Sequence, residues 1–379
     1  MKINDYCLYF DLVKLQVLQE NLADAINLAS RFTSARAQLP VLSNILFSAN
    51  NNRLLISATN LEVSINMSIG AKLEEEGDIT VPSRVITDII SNLNPGPVSL
   101  VSDKEKLKVA TSEFKTEISG MNASDFPQVP QKLDKKSVSI PKDTFFPSLS
   151  KILYAVSVDE TRPILTGVLF IFKRGMITIV STDGFRLSYK EIKAKGVNFS
   201  QKVIIPKGVL NELVRIPLEE DNLSLSFREK DNQVVFRLGN IVLSSRIIEG
   251  EFPDFEKVIP KDSKIKVNLD KESLIQAVKL ASVFARDSAN IIKMSVRSGS
   301  VEITAESQYT GSQKTKIEAK TIGGEVEIAF NFRFLLDFLQ SVKGDDINIK
   351  LGSPSSPGVF IDPKDDKFLH LIMPVKIQS

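Results

Sequence analysis

The chain has 379 residues, 42% of them apolar and 25% charged, with a net charge of +2 and one cysteine, Cys7. That length exceeds one ordinary core and points to two or three domains. A near-neutral balance excludes a strongly basic tail but leaves room for basic residues gathered on one surface. One cysteine excludes internal disulfides and points to a reducing compartment, the cytoplasm. No apolar run approaches the roughly 18 residues of a membrane helix. The opening MKINDYCLYFDLVK lacks the layout of a signal peptide.

The catalytic inventory is thin. The one histidine, His370, sits in a strand-like apolar run and reads as a packed strand residue. One His and one Cys far apart make no zinc site. The phosphate-loop, dinucleotide and nucleophile-elbow motifs are all missing. No cofactor or metal is expected, and the chain reads as a protein that holds other molecules.

In chain order, INLAS (Ile26–Ser30) ends a helical pattern. RLLISAT (Arg53–Thr59) alternates as a half-buried strand, TVPSRVITDIISNL (Thr80–Leu93) reads as a strand and then a helix, and FKTEISGM (Phe114–Met121) reads as a strand. The same elements then recur. LYAVS (Leu153–Ser157), MITIVST (Met176–Thr182), IIPKGVLNELVRI (Ile204–Ile216) and NIVLSSRI (Asn240–Ile247) form a second set. VKLAS (Val278–Ser282), SVEITAE (Ser300–Glu306), AFNFRFLLDFLQSV (Ala329–Val342) and DKFLHLIM (Asp366–Met373) form a third. Pro82, Pro206 and Asn331 are 124 and 125 positions apart, and Ile56, Ile179 and Ile303 are 123 and 124 apart. Proline suits a helix start, where its missing N–H would be unsatisfied anyway. This period is far above that of a solenoid, so each copy is a domain with two helices and many short strands. The linkers FPQVPQKLDKKS (Phe126–Ser137) and FPDFEKVIPKDSK (Phe252–Lys264) separate them. The expected division is an extension at 1–12 and domains at 13–132, 133–262 and 263–379. The final run, KFLHLIMPVKIQS, then supplies the closing strand of the third domain. Pro374 ends it, because strand interiors reject proline.

Five stretches carry a family resemblance: LPVLSNILF (Leu39–Phe47), ETRPILTGVLF (Glu160–Phe170), STDGFRLSY (Ser181–Tyr189), EGEFPDFEKVIP (Glu249–Pro260) and LIMPVKI (Leu371–Ile377). In this order and spacing the chain resembles the bacterial sliding clamps, the beta subunit of DNA polymerase III, from about Val13 to Ile377. The resemblance implies an α+β fold of three repeated clamp domains, each with two helices packed on antiparallel sheets. A head-to-tail homodimer would close into a ring, which leaves few sheet edges open and makes a finite assembly. Such a ring encircles duplex DNA through phosphate-facing charge, without reading sequence.

Residue by residue, the resemblance puts Arg36, Arg84 and Lys207 toward DNA. It assigns a partner-peptide pocket to Leu165, Thr182, Gly184, Phe185, Arg186, Leu187, Pro253, Lys257, Val258, Leu371, Met373, Pro374, Val375 and Ile377. It sets Thr116 and Ile118 of one subunit against Val283 and Phe284 of the other. The implied partners are double-stranded DNA, a second copy, the DNA polymerase III catalytic subunit, an ATP-dependent clamp loader, and other repair and replication proteins with clamp-binding peptides; no membrane is implied. The six implied lining helices, read as 20–31, 83–93, 142–156, 207–215, 271–286 and 331–343, hold eleven basic and seven acidic residues. Their excess of +4 against +2 for the chain leaves −2 for the rest.

The chain departs from the family at several points. Thr116 stands where a bulky apolar residue is common, and Phe185 and Lys257 replace a common His and Arg in the pocket. Pro147 falls inside a lining helix, and Gln378 and Ser379 run past the usual end. Two other readings stay open from the residues. One is a scaffold of the same fold that does not close around DNA. The other is a carboxylate enzyme, for which Asp183 would need a paired acid and a shifted pKa.

Overall fold

The computed structural model describes residues 13–34, 38–217, 220–260 and 262–376. Arg36, Ile377, Gln378, Ser379 and the extension at 1–12 lie outside the described residues. The chain forms two compact units, Met1–Ser139 with Pro217–Arg246, and Ile140–Ile216 with Ile247–Ser379.

In the first unit, helix α1 (Gln19–Ser30) buries Leu22, Ala25, Ile26 and Ala29, the three-and-four spacing of one helical face. Helix α2 (Ser83–Ser91) starts after Pro82, buries Ile86 and Ile90, and turns Arg84, Val85 and Asp88 outward. A five-stranded sheet runs in the order Lys72–Glu75, Lys14–Leu18, Pro97–Asp103, Lys106–Ala110, Lys115–Ser119. An eight-stranded sheet passes from one repeat into the next: Ile241–Arg246 pairs antiparallel with Val63–Gly70. There Ser64 faces Ser244, with their hydroxyl oxygens 2.6 Å apart.

The second unit holds helices α3 (Lys142–Ser150), α4 (Lys207–Arg215), α5 (Lys271–Ala285) and α6 (Phe332–Ser341) beside a twelve-stranded sheet. Again a strand of one repeat adds to another, Phe368–Ile372 against Arg186–Lys193. The long strand Gly311–Ile322 pairs with Ser300–Ser307 through its first eight residues and with Ile265–Asp270 through its last four. The core around Met294, Phe330, Leu335, Phe338 and Phe360 is closed by α6 on one face.

The helix read as 142–156 is shorter than expected. It stops at Ser150, and a 3-10 turn, Leu153–Ala155, follows. Pro147 lies inside α3, where it withholds one N–H and crowds the carbonyl of the preceding turn. Ser157 therefore follows that turn, and Ser282 lies within α5 rather than at its end.

His370 is fully buried in the strand Phe368–Ile372. Its ring stacks on Phe338 at 5.6 Å between centroids, and its Nδ1 lies 2.8 Å from Ser188 Oγ and 3.3 Å from Tyr154 Oη. Its Nε2 has no hydrogen-bonding partner among the described residues. Burial, and then the charge of Arg186, hold the imidazole pKa well below its usual 6.5. The unfolded chain takes up a proton below pH 6.5 that the folded chain refuses. Stability is therefore flat above that pH and falls as pH drops toward the folded pKa. Urea unfolding of the wild type at pH 5.5 should show a loss relative to pH 7.5 about 1.4 kcal/mol larger than that of His370→Phe. Equal losses in the two proteins would remove His370 as the cause.

Candidate functional site

The site is built on the turn that joins Met176–Thr182 to Arg186–Lys193. Thr182 Oγ1 donates to Arg186 O at 2.6 Å and accepts from Gly184 N at 3.0 Å. Asp183 Oδ1 accepts from Phe185 N and Arg186 N, at 2.9 and 3.0 Å. Asp183 is thus absorbed in folding its own turn, the role such a side chain takes in a local backbone-capping motif. Gly184 has φ +93°, and a Cβ there would stand 3.2 Å from Arg162 Nη1. The left-handed backbone calls for glycine.

Arg186 locks this turn to its surroundings. Its side chain is 10% exposed, with Nε on Asp183 Oδ2 at 2.9 Å and Nη1 on Asp337 Oδ2 of α6 at 2.5 Å. Nη2 donates to Tyr154 O at 2.6 Å, and the guanidinium lies over the Phe334 ring, 4.5 Å from its centroid. Arg162 holds the turn from the other side through Asp183 O at 3.4 Å and pairs with Asp159. Tyr154, Arg162, Phe334 and Asp337 were not selected from the sequence. All four lay inside quoted stretches, but only tertiary folding brings Tyr154, Phe334 and Asp337 to the turn.

The two strands meet with Leu187 facing Leu371 and Arg186 facing Ile372. Beyond Ile372, Met373 N donates to Phe185 O at 2.8 Å, and Val375 N donates to Ala329 O at 2.9 Å. The segment after the strand is therefore tied both to the turn and to the edge strand Val326–Asn331. Leu187 and Leu371 belong to one apolar cluster with Leu169, Val180 and Phe255. Leu165, Thr182, Leu187 and Leu371 are buried. Phe185 is 60%, Val258 42% and Met373 37% exposed. Pro253 is exposed, Pro374 and Val375 are half-buried, and Lys257 is exposed and paired with Asp254 at 2.8 Å. The outcome is large exposed apolar side chains on rigid backbone, the composition of a docking patch.

The other sequence-selected residues fall elsewhere. Arg84 is exposed near the start of α2. Lys207 is half-buried at the start of α4, where burial and the nearby Arg186 lower its pKa and Asp337 partly offsets them. Lys151, counted above among the lining charges, is turned inward onto Asp365. Thr116 is half-buried and Ile118 is buried, while Val283 is exposed and Phe284 half-buried at the end of α5. Among the described residues no group of three metal-ligating side chains occurs, and no helix is long and apolar enough to cross a membrane.

Models of the DNA polymerase III beta subunit match the chain in three parts. The N-terminal domain matches at 13–130, the central domain at 139–254 and the C-terminal domain at 256–376. The beta sliding clamp of Synechocystis sp. is 31% identical over 389 residues, covering 96% of this chain and 100% of that protein. That of Staphylococcus aureus (strain Mu50) is 27% identical over 379 residues, with the same coverage. Among solved structures, the DNA polymerase sliding clamp from Bacillus subtilis superposes with a TM-score of 0.92 at 25% identity, covering 97% of this chain and 100% of that one. The C. crescentus beta sliding clamp gives a TM-score of 0.91 at 27% identity, with the same coverage. With all three domain models in order along nearly its whole length, the chain belongs to the family of the DNA polymerase III beta subunit, the bacterial sliding clamps.

Proposed function

We propose that this protein is a ring-shaped processivity factor. It encircles duplex DNA without sequence specificity, slides along it, and tethers the replicative polymerase and other partners through the pocket built on Phe185 and Met373. It is not an enzyme. Its three repeats are divided at about 132 and 262, and it acts in the cytoplasm. Arg36, Arg84 and, more weakly, Lys207 meet DNA phosphates.

The observation that carries this reading is a repeated strand pairing. Ile241–Arg246 adds to Val63–Gly70, and Phe368–Ile372 adds to Arg186–Lys193. The third equivalent strand, Lys115–Ser119, is the outer edge of its five-stranded sheet, and we take as its counterpart the first eight residues of Gly311–Ile322, which pair on one side with Ser300–Ser307. A second copy, joined head to tail, satisfies both edges, and a rotation that closes gives a ring rather than a filament. The DNA polymerase III catalytic subunit and other repair and replication proteins are the pocket's clients. Opening the ring falls to an ATP-dependent clamp loader, because this sequence has no nucleotide motif of its own.

Negative-stain electron microscopy tests the ring: closed rings with a duplex-sized hole support it, and persistent arcs at high protein concentration refute it. The pocket has its own test. An apolar clamp-binding peptide, followed by fluorescence anisotropy, should bind Met373→Ala and Pro374→Ala at least about tenfold more weakly, the cost of losing a buried interface anchor. Unchanged binding in both variants would remove the pocket.

A further inference from the structure

We infer that Lys266, Lys320 and Lys350, with the exposed Ile322 among them, form a second docking surface. Its occupant is an acidic segment of a partner protein that carries a large apolar side chain beside its carboxylates. None of these residues belongs to the peptide pocket or to the DNA-facing set named above, and the inference does not depend on ring closure.

The four residues lie on three neighbouring strands, Gly311–Ile322, Ile265–Asp270 and Asp346–Leu351. Alternation decides which face each side chain takes. Ile265, Val267, Leu269, Ile317, Ile347, Ile349 and Leu351 enter the core shared with α5 and α6. Lys266, Lys320, Ile322 and Lys350 therefore point the other way, and all four are exposed, Ile322 to 70%. Lys266 faces Ile322 on one neighbour and Lys350 on the other, while Asn268 faces Lys320 and Asn348. The outward row runs Ile322, Lys266, Lys350, at the strand spacing of about 4.8 Å.

Two features of this row work against the folded chain. Like charges directly opposite each other on a ladder repel, and Lys266 and Lys350 are such a pair. Among the described residues no carboxylate pairs with Lys266, Lys320 or Lys350. Elsewhere on the same sheet, basic side chains are matched: Lys314 with Glu302 at 2.8 Å, Lys293 with Glu327 at 3.0 Å and Arg297 with Glu325 at 3.0 Å. The nearby acids stand off from the row. Glu318 lies two positions before Lys320, and Asp270 and Asp346 face each other beyond the Asn268–Asn348 amide bond of 3.0 Å. The second feature is Ile322, a large apolar side chain left in water.

Beside the row, the same sheet face is already covered. Lys350 faces Val359, which is buried in a cluster with Phe255, against which Phe252 and Ile259 also pack. These three belong to the linker Phe252–Lys264, so its cover reaches Val359 and leaves the lysines open. An extended chain laid next to the linker sets carboxylates on Lys266 and Lys350 and an apolar side chain on Ile322. Charge complementarity selects an acidic segment. Ile322 favours a protein over a nucleic acid, whose phosphates gain nothing from an isoleucine.

Fluorescence anisotropy on the full chain tests the surface, with a labelled eight-residue peptide of glutamates around one central leucine as the probe. Lys266→Ser with Lys350→Ser should weaken binding about fivefold, the effect of losing two exposed ion pairs. Ile322→Ser should weaken it by a similar factor. Lys293→Ser with Arg297→Ser removes the same charge from the same sheet and should leave binding unchanged. Lys350→Thr should raise the melting temperature by about 1–2 °C, because one of two facing like charges is gone. No binding at millimolar peptide, equal loss in the two paired variants, or loss only in Met373→Ala would each overturn the surface. So would a duplex oligonucleotide whose binding depends on Lys266 and Lys350 when that of the peptide does not, which reassigns the row to nucleic acid. An unchanged melting temperature would show that the facing lysines do not repel and need no counter-charge.

Discussion

Arg186→Ala is expected to lower the unfolding free energy by about 3 kcal/mol, the scale for removing one partner of a buried charge cluster. It should also abolish measurable binding of a partner-tail peptide. The side chain reaches in three directions, to Asp183 on its own turn, to Asp337 on α6 and to the carbonyl of Tyr154. Its loss leaves two carboxylates without their cation and frees the turn that presents Phe185. Arg186→Lys should recover little, because an ammonium cannot make the three-way fork. Urea unfolding followed by circular dichroism reads the first effect and peptide anisotropy the second. Unfolding within 1 kcal/mol of wild type together with normal peptide binding would show that the turn holds itself.

The second large effect is expected at Asp365. Its carboxylate takes Lys151 Nζ at 2.6 Å and Lys190 Nζ at 2.5 Å, and both lysine side chains are only 12% exposed. Lys151 also lies over the Phe368 ring, 5.0 Å from the centroid. Burial alone would raise the Asp365 pKa, but hydrogen bonds from the two lysines outweigh it and hold the pKa below the usual carboxylate value. The stabilisation is therefore present above the unfolded pKa of about 3.9 and is lost as pH falls toward the folded value. At neutral pH, Asp365→Asn leaves two partly buried ammonium groups with no counter-ion and should cost about 3 kcal/mol. Adding Lys190→Met should return part of that loss by removing one of the stranded charges. A thermal-melting series over the three proteins decides it: if the double variant is no more stable than Asp365→Asn, like-charge repulsion is not the cause.

The repeats were legible because their signals are local. Pro82 and Pro206 mark helix starts, and RLLISAT and MITIVST do form strands, with exposure alternating over the first four residues and the rest buried. The Thr182–Arg186 turn was legible for the same reason: its glycine and its aspartate act within a few residues of themselves. What the sequence concealed depends on distant partners. Lys151 reads as a lining charge until Asp365, 214 positions away, folds onto it. Leu371 reads as pocket lining, yet it is buried, because apolar clusters from distant parts of the chain cover both faces of Phe368–Ile372. The end of α3 was misjudged because apolar periodicity continues past Ser150, where the helix gives way to the 3-10 turn Leu153–Ala155.

The pairing of Ile241–Arg246 with Val63–Gly70 also governs how the molecule can be cut. A fragment made of the first sequence repeat alone would carry Val63–Gly70 with its neighbouring strand removed, a long row of bare N–H and C=O groups. Such a piece invites fibrous self-adhesion, although every residue of the repeat is present. Workable excision points for making fragments therefore follow sheet continuity rather than the period in the sequence, and the smallest piece that retains this pairing includes the strands of Asn222–Arg246.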